Sequence, residues 1–311
     1  MYWPEVVGQS VARVESVAIN DNVATLRPET ADPCAVDRLD LEAYLARIGV
    51  AARPPSRAAL DELHEAHVRT FTFDNVDVLL ESHPGVDLDA VQAKFVGRGR
   101  GGYCFEHSTL LGAALQRLGY VVERRLGRVG DPPTTARTHC VLVVTLDGQR
   151  LLADPGFGLS LLRPIPLEDG AQDDYEGWTY RVRSLSLGNG RGWALYRRRG
   201  SGWELMHCHD ELPVLPIDLV AAHHYTSTHP RSLFRQGLML TRHSPDRHTT
   251  VTDSTVSIRR PGRPTEHREI SVFEAIDLLR ELAVPLTEDD LLRLTNTLLA
   301  LRGQAAWEPP R

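Results

Sequence analysis

The sequence predicts an α+β protein, in which a helical block precedes a β block and helices return near the C-terminus. Between Leu39 and Leu118 the apolar residues recur at helical spacing, whereas beyond Gly119 they alternate as they do in strands. Two capping boxes, Ser271–Glu274 and Thr287–Asp290, then mark the starts of two further helices. The 311 residues are enough to bury a core of two or three structural units.

Four helices are predicted in the first block. The stretch LDLEAYLARIGV, which begins at Leu39, places apolar residues at 41, 44, 45 and 48, on one stripe of a helix. Further helices are expected near Ser56–Phe71, over Leu88–Val96, and from Cys104 to the residue before Gly119. The first 38 residues show no strong period and are punctuated by prolines, so we expect an extension to the main fold.

A hairpin fixes the register of the β block. The segments GYVVERRLGRV, THCVLVVTL and QRLLADPGF are predicted strands, and Asp147-Gly148 favours a two-residue type I′ turn between the last two. With that turn, Val141 lies opposite Asp154, and His139 shares their face because side chains alternate along a strand. We therefore expect His139 and Asp154 to be diagonal neighbours, with Cys140 on the opposite face.

The stretch GRGRGGYCFEH, residues 97–107, has three possible interpretations. Its glycines satisfy the dinucleotide-binding pattern G-x-G-x-x-G, but helical spacing precedes them where a strand is needed. Its arginines resemble a small nucleic-acid-binding patch, although the net charge of −6 argues against such a partner. In the third interpretation, the glycines form a bend that presents Cys104 at the start of a helix.

The third interpretation gains support from the predicted sheet. The positive end of a helix dipole lowers the pKa of a thiol placed there. By position alone Cys104 would more often be a buried core thiol. Together with His139 and Asp154, however, it completes the Cys-His-Asp arrangement of thiol acyl transfer, in which the histidine takes the thiol proton and the aspartate fixes its tautomer. The sequence therefore predicts these three residues as catalytic.

Five motifs around these residues resemble those of the arylamine N-acetyltransferases. RGGYCFE at 100–106 is similar to the family's nucleophile motif, and His139 lies in a strand similar to THxxLxV. DPGFG at 154–158 is similar to the D-x-G-F-G motif. TFDN at 72–75 and STHPRSLF at 227–234 resemble the PFEN and STxPxSxF elements. The order of the five motifs makes the resemblance specific.

The resemblance covers the chain from about Leu39 onward and implies a papain-like cysteine-enzyme core with a C-terminal lid. It implies three domains: a helical bundle with the nucleophile over 39–126, a β-barrel with the histidine and aspartate over 127–222, and an α/β lid over 223–311. The predicted N-terminal extension over 1–38 has no counterpart in the family.

The resemblance also implies an activity. Cys104 would take an acetyl group from acetyl-CoA and pass it, in a ping-pong reaction, to an aromatic amine or hydrazine. Phe73, Phe157 and Phe234 would line the substrate pocket. A further set of residues would support the site structurally: Arg100, Asp74, Gly101, Gly102, Gly156 and Gly158.

Asp74 stands where the family usually has a glutamate that pairs with the arginine of the nucleophile motif. We expect the shorter Asp74 to reach Arg100. Three other functions stay open on the residues alone. The first is an amide synthase of the same fold that closes a macrolactam; the second is a papain-like or transglutaminase-like enzyme acting on peptides. The third is a non-enzymatic domain that binds acyl-CoA or a partner.

Composition restricts location and partners. No apolar run approaches 18 residues and no secretory signal is evident, so we expect no membrane association. Four separated cysteines without a CxxC pair indicate reduced thiols and a cytoplasmic location. We expect neither a metal nor a nucleic-acid partner, and either a monomer or a homodimer. His64-Glu-Ala-His67 is assigned to a solvated helix face, and His207-Cys-His209 lacks further metal ligands at finger-like spacing.

Overall fold

In the computed structural model, which describes residues 34–130, 134–187 and 190–308, helices are combined with two antiparallel sheets. The α+β prediction is confirmed. Short turns of 3-10 helix at Val36–Arg38 and Leu233–Arg235 and a π-helical turn at Ala93–Gly97 supplement the α-helices. The α-helices are α1 Leu41–Ile48, α2 Arg57–Thr70, α3 Val76–Leu79, α4 Leu88–Gln92, α5 Cys104–Arg117, α6 Pro216–Thr228, α7 Val272–Glu281 and α8 Glu288–Leu301.

The larger sheet has eight strands in the order β5-β4-β3-β2-β9-β8-β7-β6. All neighbouring strands are antiparallel. Strands that follow each other in the chain pair within β2–β5 and within β6–β9, whereas β5 and β6 lie at opposite edges and β9 returns to pair with β2. Its strands are β2 Val121–Val129, β3 His139–Leu146, β4 Gln149–Ala153, β5 Ile165–Pro166, β6 Gln172–Tyr175, β7 Trp178–Leu187, β8 Gly190–Arg199 and β9 Gly202–Asp210.

The smaller sheet has five strands in the order β1-β10-β11-β12-β13. Its first strand, Phe73–Asp74, comes from the helical block and pairs with β10, with Phe73 opposite Thr241. The N-terminal helices are therefore joined by backbone hydrogen bonds to the C-terminal sheet. The other strands are β10 Met239–Ser244, β11 Arg247–Thr252, β12 Thr255–Arg259 and β13 Glu266–Glu269.

Helix α5 runs through the interior, and every one of its residues from Cys104 to Leu115 is buried. Its leucines pack into one cluster with Tyr44, Leu60 and Phe71 from the other helices and with Leu142 from β3. A helix that is apolar on most faces is stable only when surrounded by protein. The burial therefore fixes the position of the first turn of α5, where Cys104 lies.

The turns and caps follow the local sequence. Leu146 pairs with Gln149 and Leu142 with Ala153, which confirms the predicted two-residue hairpin. Asp147 and Gly148 both have positive φ, 50° and 78°, as a type I′ turn requires. The Ser271 and Thr287 side chains accept hydrogen bonds at the starts of α7 and α8, so both predicted capping boxes are confirmed.

One predicted helix is shorter than expected. The helix expected over Leu88–Val96 ends at Gln92 and continues as the π-helical turn Ala93–Gly97. Two predictions stay predictions. Most of the 1–38 extension lies outside the described residues, and the division of the chain into four parts is not tested. Within the described part of the chain, no helix has both the length and the apolar character needed to cross a bilayer.

Candidate active site

The loop that presents Cys104 is bonded to the short strand β1. Gly102 donates its backbone N–H to the Thr72 carbonyl (3.1 Å), and Asp74 donates its own to the Gly102 carbonyl (2.7 Å). A Cβ at Gly101 would overlap the Thr72 carbonyl oxygen, so only glycine permits this close approach. Cys104 follows as the first residue of α5, with 2% of its surface exposed.

His139 and Asp154 meet as the hairpin register predicts. His139 Nε2 lies 3.0 Å from Asp154 Oδ2 in a hydrogen bond, and both side chains are buried. Because Nε2 is engaged by the carboxylate, Nδ1 is the ring nitrogen left for the thiol. The Cys104 thiol donates a hydrogen bond to the carbonyl of Thr138 (3.6 Å), the residue before His139, and it lies close enough to His139 to act on the pKa of that imidazole. Cys140 packs in the same apolar cluster as Cys104, and burial raises its pKa to about 12.

The charge states of this group follow from opposing effects. Burial alone lowers the pKa of His139, but the charge and hydrogen bond of Asp154, together with the Cys104 thiol, raise that pKa to about 10. Burial alone raises the pKa of Asp154, but His139 and His207 hold it well below its usual range. At neutral pH the buried pair is therefore an imidazolium and a carboxylate, with the proton on His139.

A second histidine shares the same carboxylate oxygen. His207 on β9 has its Nε2 3.0 Å from Asp154 Oδ2, and its ring centroid is 4.8 Å from that of His139. Gly127 on β2 pairs with His139 on one side and with His209 on the other. A Cβ at Gly127 would lie 2.9 Å from the Cys208 carbonyl oxygen, so the close pairing of β2 with β9 at this point favours glycine. Burial lowers the pKa of His207, so this ring is neutral where His139 is charged.

The loop after β4 packs directly against the start of α5. A Cβ at Gly156 would lie 2.7 Å from the Cys104 Cα and 3.0 Å from the His107 Cβ, so a side chain there would displace Cys104. Gly158 is in similar contact with the Phe73 ring. The glycines of this loop thus set the distance between the sheet that carries Asp154 and the helix that carries Cys104.

Three half-buried phenylalanines surround this region. The Phe157 ring lies 5.4 Å from that of His139 and 5.7 Å from that of His207. Phe73 and Phe234 are in edge contact at 6.2 Å and pack against the cluster that contains Cys104. The rings therefore contact both halves of the site, and their role in binding substrate stays a prediction.

Buried charges lie beneath the nucleophile loop. Arg100 Nη2 is 2.9 Å from Asp77 Oδ1, and Lys94 Nζ is 3.1 Å from Asp77 Oδ2 and 2.8 Å from Glu106 Oε1. The Glu106 carboxylate also accepts a hydrogen bond from the Tyr103 backbone (3.1 Å), just before Cys104. Lys94 is the only lysine of the chain, and its ammonium connects Asp77 of α3 to Glu106 in the first turn of α5.

The predicted pairing of Arg100 with Asp74 is wrong. The Asp74 carboxylate is held within its own turn, where it accepts hydrogen bonds from the Thr72 hydroxyl (2.7 Å) and the Val76 backbone (3.2 Å). Asp77, one helical turn later, takes its place as the partner of Arg100. A short acid close to its own backbone donors bonds locally, as Asp commonly does at turns.

The prediction of a solvated face for His64 and His67 is also wrong, because both are fully buried. His67 contacts Tyr44 (3.0 Å) and His107 (2.9 Å), and His107 Nε2 in turn lies 3.2 Å from the Thr72 carbonyl. This chain of hydrogen bonds ends on the strand that holds the nucleophile loop.

Comparisons with known proteins agree with this geometry. A family model described as N-acetyltransferase matches residues 57–288. The arylamine N-acetyltransferase of Mycolicibacterium smegmatis is 36% identical over 252 residues, which cover 78% of this chain and 90% of the relative. The chain belongs to the arylamine N-acetyltransferase family. Among solved structures, the arylamine N-acetyltransferase of Mycobacterium abscessus superposes with a TM-score of 0.80 at 36% identity, and the match covers 85% of this chain and 96% of that one. For the enzyme of Nocardia farcinica the TM-score is 0.81 at 33% identity, and the match covers 86% of this chain and 98% of that one.

Within this arylamine N-acetyltransferase fold, the structure brings Cys104, His139 and Asp154 together, and it adds His207, which the sequence did not assign to the site. The spacing of His207 and His209 on one strand face was the available signal. That spacing does not show where His207 lies in the fold, because β9 pairs with β2, which is about 80 residues earlier in the chain.

Proposed function

We propose that the chain transfers an acetyl group from acetyl-CoA to the amino group of an arylamine or aryl hydrazine. The observation that carries the proposal is the hydrogen bond of 3.0 Å between His139 and Asp154, with Cys104 at the start of α5 and close enough to the same imidazole to raise its pKa. Family membership supports the substrate class, and a relative from Mycobacterium marinum has been solved in complex with CoA.

In the first half-reaction, the Cys104 thiolate attacks the acetyl carbonyl of acetyl-CoA. The CoA thiolate leaves as the tetrahedral intermediate collapses and takes the proton of the His139 imidazolium. Asp154 holds the imidazole through Nε2–H, so Nδ1 faces the reacting sulfur. The products of this half-reaction are CoA and an acetyl-Cys104 thioester.

In the second half-reaction, the amine attacks the thioester carbon. His139, now neutral, accepts the amine proton, and the Cys104 thiolate leaves as the amide forms. The aromatic ring of the substrate can be buried beside the sulfur among three apolar rings, where it makes edge or offset contacts. These rings belong to Phe73, Phe157 and Phe234. Arg100, Asp74, Gly101, Gly102, Gly156 and Gly158 act through the loops that carry the catalytic residues.

Steady-state kinetics with acetyl-CoA and a simple arylamine test this proposal. A ping-pong enzyme gives parallel double-reciprocal lines when one substrate is varied at several concentrations of the other. Intersecting lines would contradict the covalent intermediate. Turnover of a simple arylamine also separates the proposal from the amide synthase, which needs a carrier-bound acyl chain, and from peptide-directed thiol enzymes.

The reduced thiols Cys104, Cys140 and Cys208 support a cytoplasmic location. We propose acetyl-CoA and the aromatic amine as partners in a chain that acts as a monomer or homodimer.

A further inference from the structure

Two imidazole nitrogens and one carboxylate oxygen converge beside the nucleophile. His139 Nε2 and His207 Nε2 each lie 3.0 Å from Asp154 Oδ2, and the three ligand atoms fall within 4.8 Å of one another. We propose that His139, Asp154 and His207 form a binding site for Zn²⁺, and that an ion bound there inhibits the enzyme reversibly. The binding site stands apart from acetyl transfer, whereas the inhibition rests on the proposed function of His139 and Asp154.

The donor set fits zinc in kind and in number. Proteins bind Zn²⁺ with two histidine nitrogens and one carboxylate oxygen, and leave the fourth position for water. Magnesium and calcium are disfavoured, because they prefer sites made of oxygen ligands.

The spacing of the donors also fits zinc. Zinc bonds of about 2.0–2.2 Å at tetrahedral angles place neighbouring ligand atoms about 3.3–3.5 Å apart. The two observed separations of 3.0 Å are only slightly shorter. Small rotations of the two imidazole rings would open the site to the size of the ion.

His207 provides an independent indication of a ligand. The residue is fully buried, and neither of its ring nitrogens makes a well-aligned hydrogen bond with any described residue, although Nε2 is close to Asp154. A buried polar atom without an aligned partner costs free energy. A cation that accepts the lone pair of His207 Nε2 removes that cost, whereas His139 already has a partner in Asp154.

Zinc binding and acyl transfer exclude each other at this position. The ion would bind His139 Nε2 and Asp154 Oδ2, the two atoms that the hydrogen bond now joins. The proton of that hydrogen bond is displaced to solvent. Asp154 then no longer orients the imidazole toward Cys104, so the thiol loses its base. Removal of the ion by a chelator restores the hydrogen bond.

The competing explanation for any zinc inhibition is direct binding to the Cys104 thiolate, since thiolates are zinc ligands. The two explanations differ in the residue that is essential. Binding in the proposed site requires His207 and not Cys104, whereas binding at the thiol requires Cys104 and not His207.

The test is a titration of the full, metal-stripped chain with zinc chloride in competition with a chromophoric chelator. We expect one strong site per chain, an affinity for Cys104→Ser close to that of the unaltered chain, and a loss of at least about tenfold for His207→Gln. His209→Gln is the matched control. It changes a second buried histidine on the same strand face, 6.0 Å from His207 and outside the ligand set, and is expected to keep the affinity.

A cobalt spectrum makes the test independent of how the variants fold. Co²⁺ bound to the unaltered chain should show the visible bands of a nitrogen and oxygen site without thiolate-to-metal absorption in the near ultraviolet. An intense thiolate band overturns the proposal, as does the lack of a stoichiometric zinc site, or zinc affinity that is lost in Cys104→Ser and kept in His207→Gln. These binding measurements need no acetyl transfer, so they stand apart from the proposed function.

Discussion

The buried charges beneath the nucleophile loop yield a ranked stability prediction. Arg100, Lys94 and Arg98 are each replaced by Met, which removes the charge and retains an apolar stem. Arg100 and Lys94 are buried, with 8% and 2% of their side chains exposed, whereas Arg98 is exposed in the same loop and serves as the matched control. All three changes remove one positive charge, so they differ only in what that charge contacts.

The contacts set the expected magnitudes. Removal of one partner of a buried ion pair costs about 3–5 kcal/mol. After Arg100→Met, Asp77 keeps Lys94 at 3.1 Å, so we expect the lower end, about 3 kcal/mol. Lys94→Met leaves Asp77 with Arg100 at 2.9 Å and Glu106 with His83 at 3.2 Å, but it takes the cation from two buried carboxylates at once, so we expect about 5 kcal/mol. Arg98→Met should change the free energy of unfolding by less than about 0.5 kcal/mol.

Urea unfolding followed by circular dichroism measures these differences. In a thermal scan Arg100→Met should lower Tm by about 6–12 °C, on a scale of about 2–4 °C per kcal/mol. Equal stabilities for Arg100→Met and Arg98→Met would refute the argument. So would a larger loss for Arg100→Met than for Lys94→Met, since both carboxylates that Lys94 contacts are buried, whereas the second carboxylate near Arg100, that of Asp290, is 3.7 Å away and 20% exposed.

Three further predictions concern the chemistry. The proposed thiolate–imidazolium pair of Cys104 and His139 predicts that alkylation of Cys104 by iodoacetamide stays fast at pH 6 and that His139→Ala slows it sharply there; an ordinary thiol, with a pKa of about 8.5, would lose about tenfold per pH unit below that value. Phe157→Ala should raise the arylamine KM more than it slows acetylation of Cys104, as measured on the separate half-reactions. Gly156→Ala should reduce the rate of Cys104 acetylation at least about tenfold while the chain stays folded, because the new Cβ would meet the Cys104 Cα at 2.7 Å.

Each of these predictions has a contradicting outcome. An alkylation profile for Cys104 that follows an ordinary thiol would remove the ion pair with His139. Equal losses in both half-reactions for Phe157→Ala would mean that this ring supports the catalytic residues and does not contact the acceptor. Full acetylation rates for Gly156→Ala would show that the loop and helix α5 can separate without consequence.

The part of the site that lies on one hairpin was predictable, because short-range rules fix it. Asp147-Gly148 allows a two-residue turn, the turn fixes the pairing of Leu146 with Gln149, and strand alternation then places His139 and Asp154 on one face. The helix start at Cys104 was predictable for a similar reason, since glycines precede it and apolar residues follow at helical spacing.

The missed parts depend on long-range contacts. His207 reaches Asp154 because β9 returns to pair with β2, and periodicity within β9 does not specify that partner. The burial of His64 depends on how α2 meets the loop at Leu162, whose carbonyl lies 3.2 Å from its Nδ1. Arg100 pairs with Asp77 and not with Asp74, because the Asp74 carboxylate accepts a hydrogen bond from the Thr72 hydroxyl two residues away.

The central claim is that Cys104 carries the acetyl group. Intact-mass spectrometry of the chain after brief exposure to acetyl-CoA, without acceptor, tests it most directly, with peptide mapping to locate the adduct and Cys104→Ser as the control. The account predicts one added acetyl group, located on Cys104, absent from Cys104→Ser and lost when an arylamine is added. An unmodified chain, or an acetyl group on another residue that also appears in Cys104→Ser, would contradict it.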